Sequence, residues 1–317
     1  MKIALCGLWH VHAPGYYKQA KQFSDVIGVW EENEQWRKDF CKENDLYEFN
    51  SFEELLESDA DGVIVCTSTD IHADVITKIA NAGKDIFTEK VLTLTDEDCK
   101  ATAEAIEKNG VRFVISLVHK YSAGLQTVKK IVDSGEIGTV NYLRFKNCHT
   151  GSSENWLPKH FYDLKQCGGG AMIDLGAHGM YITDWILGQP NKYTSVFTNA
   201  SINEGANALN TDKVEDHAVT VMSYENGAIA VNETGFVSLG CPLSIEVGGD
   251  KGFVRFDSSN VIKNTLDTGK KAVEVEMEKA LPSPLEQFLT GNVLEGCGIR
   301  EALNLTHMMV EAYANRI

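Results

Sequence analysis

Up to about residue 120 the apolar positions fall into short β-branched runs, "KIALCG", "DVIGVWE", "DGVIVCTS", "KDIFTE" and "VRFVISLV", each the length of one strand. Between them lie amphipathic stretches. In "DIHADVITKIANAG" Val75, Ile76, Ile79 and Ala80 share one helical face, and Gly83 is placed to end the helix. "TDEDCKATAEAIEKNG" repeats the pattern, with Thr95 or Asp96 as N-cap, acids in the first turn and Gly110 beyond the end. Strands alternating with helices predict right-handed crossovers and a parallel sheet covered on both faces, the doubly wound nucleotide-binding class.

After about residue 121 the pattern changes. The helix "AGLQTVKKIVDSG" leads to "TVNYLRFKNCH", a polar stretch and the helix-like "AMIDLGAHGMYITDWILG". Then "YTSVFTNASI", "DHAVTVMSYENG", "AIAVNETGFVS" and "LSIEVGGDKGFVRFD" follow one another with hairpin chemistry at "ENG" and "GDKG", which predicts a mostly antiparallel sheet. The expected domains are therefore 1–120 and 121–317, with a helix near 298–316 packing back on the body of the first.

The length of 317 residues suits two cores, and 43% hydrophobic residues is ordinary for globular protein. Lys and Arg total 29 against 45 Asp and Glu, a net charge of −16 that repels phosphate backbones and anionic lipid. Nucleic acid and membrane are thus not expected partners. The apolar start from Ile3 to Trp9 is too short for a signal peptide, so the expectation is a soluble cytoplasmic protein. Eight scattered cysteines without C-x-x-C spacing read as reduced packing residues; Cys167 beside "GGG" has no base at a telling distance.

The first βα turn, "CGLWHVH", has Gly7 for the bend but none of the later glycines of G-x-G-x-x-G. Glu31 ends the second strand 24 residues after Gly7, where an acid accepts hydrogen bonds from an adenosine ribose. The next arginine is Arg37, so a 2′-phosphate would meet a carboxylate, and NAD is favoured over NADP. His10 and His12 either cap and pack at the helix start or touch the cofactor phosphates, with Trp9 beside them. As metal ligands they lack a third and fourth partner at suggestive spacing, so no metal is expected.

Three further groups lie where ligands bind open α/β sheets. Thr67, Ser68 and His72 follow the third strand, and Glu89 and Lys90 end the fourth, near the expected nicotinamide. In "GGGAMIDLGAHG", Asp174 and His178 are i and i+4, so the carboxylate can orient an imidazole able to take an alcohol proton; an ordinary surface ion pair is the alternative. The three preceding glycines allow close approach of a substrate or of another backbone.

In order, "CTSTDIHADVITKIANAGKDIFTEK", "GEIG", "GGGAMIDLGAHG" and "IREALNLTHMMVEAY" resemble the Gfo/Idh/MocA oxidoreductases over nearly the whole chain. The resemblance implies an N-terminal Rossmann domain, a C-terminal α/β domain whose open sheet builds a homodimer or homotetramer, and a tightly held nicotinamide cofactor. It aligns Lys90 with the lysine of the E-K-P motif, and Asp174 and His178 with the catalytic acid and histidine. Val91 replaces the proline, the first turn is shortened, and Tyr181 stands where relatives often carry aspartate. "VHKYS" replaces an arginine-rich stretch, which makes His119, Lys120 and Tyr121 candidates for substrate recognition. Trp156, with Asn155, Lys159, His160 and Tyr162, offers a sugar platform, or else a subunit contact.

The function expected is oxidation of a secondary alcohol on a sugar, polyol or cyclitol by NAD at Lys90, Asp174 and His178. Two alternatives stand beside it. One is transient use of bound NAD for epimerisation, elimination or glycoside cleavage, and the other is a non-catalytic NAD-binding regulatory protein.

Overall fold

A computed structural model of the protein describes residues 1–199, 214–238 and 243–317. The chain forms two compact units, residues 1–116 with 282–306 and residues 117–281 with 307–317.

The first unit is built on a parallel sheet of β1 (Lys2–Cys6), β2 (Asp25–Trp30), β3 (Gly62–Val65), β4 (Asp85–Thr88) and β5 (Phe113–Ile115), in the order β2-β1-β3-β4-β5. Its helices are α1 (Ala13–Ala20), α2 (Glu34–Asn44), α3 (Phe52–Glu57), α4 (His72–Asn81) and α5 (Asp96–Asn109). Ile3, Ala4, Leu5 and Cys6 of β1 and all of β3 are buried, as a sheet covered on both faces requires. Thr95 is the N-cap of α5, its side chain accepting the Asp98 N–H, and Gly110 closes the helix at φ +63°. All five strands point the same way, so the loops after Cys6, Trp30, Val65, Thr88 and Ile115 meet at one edge. Strand order reverses between β1 and β3, where such sheets bind ligands.

The second unit begins with α6 (Ala123–Asp133) and β6 (Val140–Cys148), followed by α7 (Leu164–Cys167) and α8 (Ala177–Leu187). Its remaining strands are β7 (Lys192–Thr198), β8 (His217–Ser223), β9 (Ile229–Gly235), β10 (Ser244–Gly249), β11 (Gly252–Phe256), β12 (Val261–Thr265) and β13 (Val273–Val275). They form one eight-stranded sheet, β13-β12-β11-β10-β6-β9-β8-β7, antiparallel except for the β6–β9 pair. The β10–β11 hairpin turns through Asp250 and Lys251, with Gly249 opposite Gly252. On β8 Ala218, Thr220 and Met222 are buried while Val221 is exposed, so one sheet face is packed and the other open.

Near the C-terminus, α9 (Pro284–Thr290) belongs to the first unit, where Phe288 meets Phe87. The last helix, α10 (Ile299–Ala314), contributes residues up to Thr306 to that unit, and the Cys99 thiol donates to Thr306 Oγ1 at 3.4 Å. The seven described cysteines are buried thiols; Cys241, like residues 200–202 of the expected "YTSVFTNASI" strand, lies outside the described residues. Among the described residues no helix is long and apolar enough to cross a membrane.

Candidate functional site

In the first unit the chain leaves β1 through Gly7 at φ +91°, with its N–H donating to Trp30 O at 2.8 Å. A Cβ at this position would lie 2.6 Å from Thr67 N, so only glycine fits the bend. The buried Glu31 carboxylate holds the turn, accepting Leu8 N–H at 2.5 Å and Asn33 N–H at 2.8 Å on separate oxygens. Arg37 is engaged by Glu48 at 3.0 Å and by Glu31 O at 2.7 Å. Trp9 is half-buried beside His10.

His12 occupies the N-cap position of α1, but its ring makes no cap bond. Its Nδ1 instead lies 2.7 Å from Glu89 Oε1, and His10 Nδ1 lies 3.7 Å from the same oxygen. Tyr16 OH donates to that oxygen and sits 2.7 Å from Ser116 Oγ, while Lys90 N–H donates to Glu89 Oε2 at 3.2 Å. Burial alone would raise the Glu89 pKa, yet His10, His12 and Lys90 hold the group well below the usual carboxylate range. Burial, and then Glu89 itself, push the Tyr16 phenol far above its ordinary value, so Tyr16 remains a donor. Lys90 is buried at the end of β4, and the Lys90–Val91 peptide is cis.

After β3, Thr67 Oγ1 is buried with no hydrogen-bond partner among the described residues, and Ser68 Oγ donates to Asp70 at 2.6 Å. His72 serves a different end. Its Nδ1 faces Val91 O and Leu92 O, at 3.1 and 3.2 Å, and its Nε2 faces Thr67 O at 3.2 Å. Burial lowers its pKa against the pull of those carbonyls, and the ring braces the loops after β3 and β4 against each other.

The second unit gathers His119, His178 and Tyr181. Tyr181 OH accepts His119 N–H at 3.1 Å and lies 2.9 Å from His178 Nδ1, and the two histidine rings meet edge to face at 4.5 Å. Lys120 is buried with Nζ 5.6 Å from the Trp185 ring centre, and Tyr121 is buried with its carbonyl accepting Leu281 N–H at 2.9 Å. Asp174 lies in a single π turn, Met172–Gly176, ahead of α8, in place of the uninterrupted α-helix that the pattern suggests. Such turns concentrate at functional sites.

Sequence reasoning missed what holds this turn. Glu215 Oε1 accepts Gly170 N–H at 2.9 Å, Met172 N–H at 3.0 Å and Tyr313 OH at 2.6 Å. A Cβ on Gly170 would fall 1.9 Å from Glu215 O, and one on Gly169 equally close to Tyr313 OH, so these two glycines serve the approach of other parts of the chain. No local pattern around "KVEDH" marks Glu215. Farther along, Trp156 is 53% exposed, its ring 4.6 Å from His149, which stacks on Phe236 at 4.9 Å. His160 packs on Phe161, and its carbonyl accepts the Cys167 thiol at 3.3 Å.

The sequence family described as an oxidoreductase family with an NAD-binding Rossmann fold matches residues 1–117, and the GFO/IDH/MocA C-terminal domain matches residues 125–255. Scyllo-inositol 2-dehydrogenase (NAD(+)) of Bacillus subtilis is 29% identical over 242 residues, 74% of this chain and 62% of that protein. Inositol 2-dehydrogenase of Salmonella typhimurium is 31% identical over 209 residues, 65% of this chain and 57% of that protein. The chain thus spans about 60% of the length of the curated relatives it matches. The solved aldose-aldose oxidoreductase of Caulobacter crescentus has a TM-score of 0.82 at 19% identity, covering 99% of this chain and 97% of that one, a likeness of fold. Family matches to both parts of the chain, on a parallel sheet followed by a large mostly antiparallel one, show that it belongs to the Gfo/Idh/MocA oxidoreductase family.

Proposed function

We propose that the chain is an NAD-dependent oxidoreductase acting on a secondary alcohol of a sugar, polyol or cyclitol. The observation that carries this reading is the ligand edge of the parallel sheet, where Gly7, Glu31, Thr67, Glu89 and Lys90 stand at neighbouring strand ends. Its residues fit a dinucleotide. The buried Thr67 hydroxyl lacks a partner among the described residues, and each Glu31 oxygen, with one bond accepted from the turn, keeps a lone pair for a ribose hydroxyl. Engagement of Arg37 by Glu48 favours NAD over NADP, since a 2′-phosphate would meet Glu31 without an unengaged guanidinium beside it. The relatives named inositol 2-dehydrogenase support a polyhydroxylated substrate.

Bound NAD supplies the hydride acceptor; the protein supplies position and proton transfer. In the tautomer that a base requires, His178 Nδ1–H donates to the Tyr181 oxygen and Nε2 carries the lone pair that takes the alcohol proton. Tyr181 keeps its other lone pair on His119 N–H. Asp174 supports the imidazole charge, and Lys90 hydrogen-bonds the reacting oxygen. His119, Lys120, Tyr121, Trp156 and His160 are proposed to meet the substrate.

The test is NADH formation from a panel of polyols, cyclitols and glycosides, with NAD titration of the stripped protein. NAD binding and NADH release are expected. Lys90→Ala should lower kcat by roughly a hundredfold or more. NAD binding without net NADH release would favour the transient-redox chemistry, and near-normal turnover of Lys90→Ala would remove Lys90 from the mechanism.

A further inference from the structure

We infer that the turn after β1 and the end of β4 form a site for one divalent transition metal ion of the zinc class, with His10, His12 and Glu89 as its protein ligands. The three residues each offer one ligand atom, and all of these atoms lie within 4.8 Å of one another. Two imidazoles and a carboxylate suit zinc, cobalt, nickel or iron(II), and three protein ligands leave a position for water or another oxygen ligand.

The charges and lone pairs point the same way. His10 Nδ1 accepts His12 N–H at 3.2 Å, so this nitrogen presents a lone pair, and 3.7 Å away it faces Glu89 Oε1, another acceptor. A metal ion bound here would take over the His10 lone pair that now accepts from His12 N–H and the Glu89 Oε1 lone pair that now faces His12 Nδ1. Tetrahedral bonds of about 2.0–2.1 Å set ligand atoms roughly 3.3 Å apart, close to the His10–Glu89 separation. His12 now sits nearer, at 2.7 Å, but its ring is half-exposed and can turn outward to make room.

The surroundings are those of a prepared ligand. The Glu89 carboxyl group is only 2% exposed, with Tyr16 OH on Oε1 and Lys90 N–H on Oε2 fixing its plane. Ser116 fixes Tyr16 in turn, and His10 is held through its backbone N–H on Cys66 O at 3.0 Å. Outer partners of this kind set the orientation and basicity of metal ligands. Spacing alone offered only the two histidines; the carboxylate arrives from 77 residues away.

The experiment uses the full chain, stripped with a chelator and titrated separately with Zn2+ and Co2+, read by elemental analysis and by the visible spectrum of the cobalt form. One ion per chain, a cobalt spectrum of nitrogen and oxygen ligands, and affinity reduced by more than about tenfold in both His12→Ala and Glu89→Gln are expected. His12 is exposed, so its variant keeps the test valid should Glu89→Gln fail to fold. Absence of stoichiometric binding, unchanged affinity in His12→Ala, or a thiolate charge-transfer band would each overturn the proposal. NAD titration of the metal-free protein reports on the proposed function independently.

Discussion

Glu215→Ala should loosen the turn that carries Asp174 and leads into the helix of His178. The carboxylate is buried and accepts three hydrogen bonds on one oxygen, from Gly170 N–H, Met172 N–H and Tyr313 OH. Truncation leaves three buried donors unsatisfied at about 1–3 kcal/mol each, but part of that is recovered by relaxation and water, so the expected loss is about 3–6 kcal/mol. For a unit of this size, that lowers Tm by roughly 10 °C or more. Glu215→Gln keeps an acceptor oxygen and should lose less. Tyr313→Phe removes one of the three bonds, so the double variant should show non-additivity with Glu215→Ala.

The pH dependence has a definite sign. Burial raises the Glu215 pKa, with Tyr313 OH and the backbone N–H groups pulling it down by less. A carboxyl whose folded pKa lies above its unfolded value contributes stability below the unfolded value, and that contribution is lost as pH rises through the folded value. The advantage of Glu215 over Glu215→Gln should therefore be greatest in acid and shrink between the ordinary carboxylate value and the raised one. Denaturant melts of the two proteins across that window measure it. A Tm for Glu215→Ala within a degree or two of the parent, or a Glu–Gln difference that does not move with pH, would refute the reasoning.

Four other outcomes are expected. Gly7→Ala places a Cβ 2.6 Å from Thr67 N at φ +91°, so it should cost about 1–3 kcal/mol in a thermal melt and weaken NAD binding in a fluorescence titration. Tyr181→Phe removes the hydroxyl between His119 and His178; kcat should fall roughly tenfold or more and the basic-group midpoint of the pH–kcat profile should move, with NAD affinity retained. Trp156→Ala should raise KM for sugar and leave NAD affinity unchanged, and equal KM values would assign the exposed ring to another role. The open sheet face carries exposed Val196 and Val221, so light scattering should find a dimer or tetramer that Val221→Lys weakens; a monomeric parent would reject that interface.

Local sequence carried the elements whose cause is local. Alternating strand and helix periods specify the parallel sheet, and Thr95 and Gly110 mark the ends of α5 through their own hydrogen bonding and backbone freedom. Gly7 and Glu31 were legible because a tight bend and a strand end restrict which residues serve there, and their link through Leu8 N–H follows from β1 and β2 being neighbours. Hairpins at Gly227 and at Gly249–Gly252 likewise follow from turn chemistry. The site's wiring belongs to the tertiary structure. Glu89 meets His12 and Tyr16 across 77 and 73 residues, Tyr181 reaches His119 across 62, and Glu215 reaches Gly170 and Tyr313 across 45 and 98. Nothing in the spacing of a single segment encodes such partners, because periodicity reports which face of an element is buried and not what lies opposite it. The same chain folding brought residues 282–306 into the first unit and turned two glycines of "GGG" toward Glu215 and Tyr313. Side-chain type was readable along the chain; which lone pairs and protons would converge was decided by the packing of the sheets and the helices laid upon them.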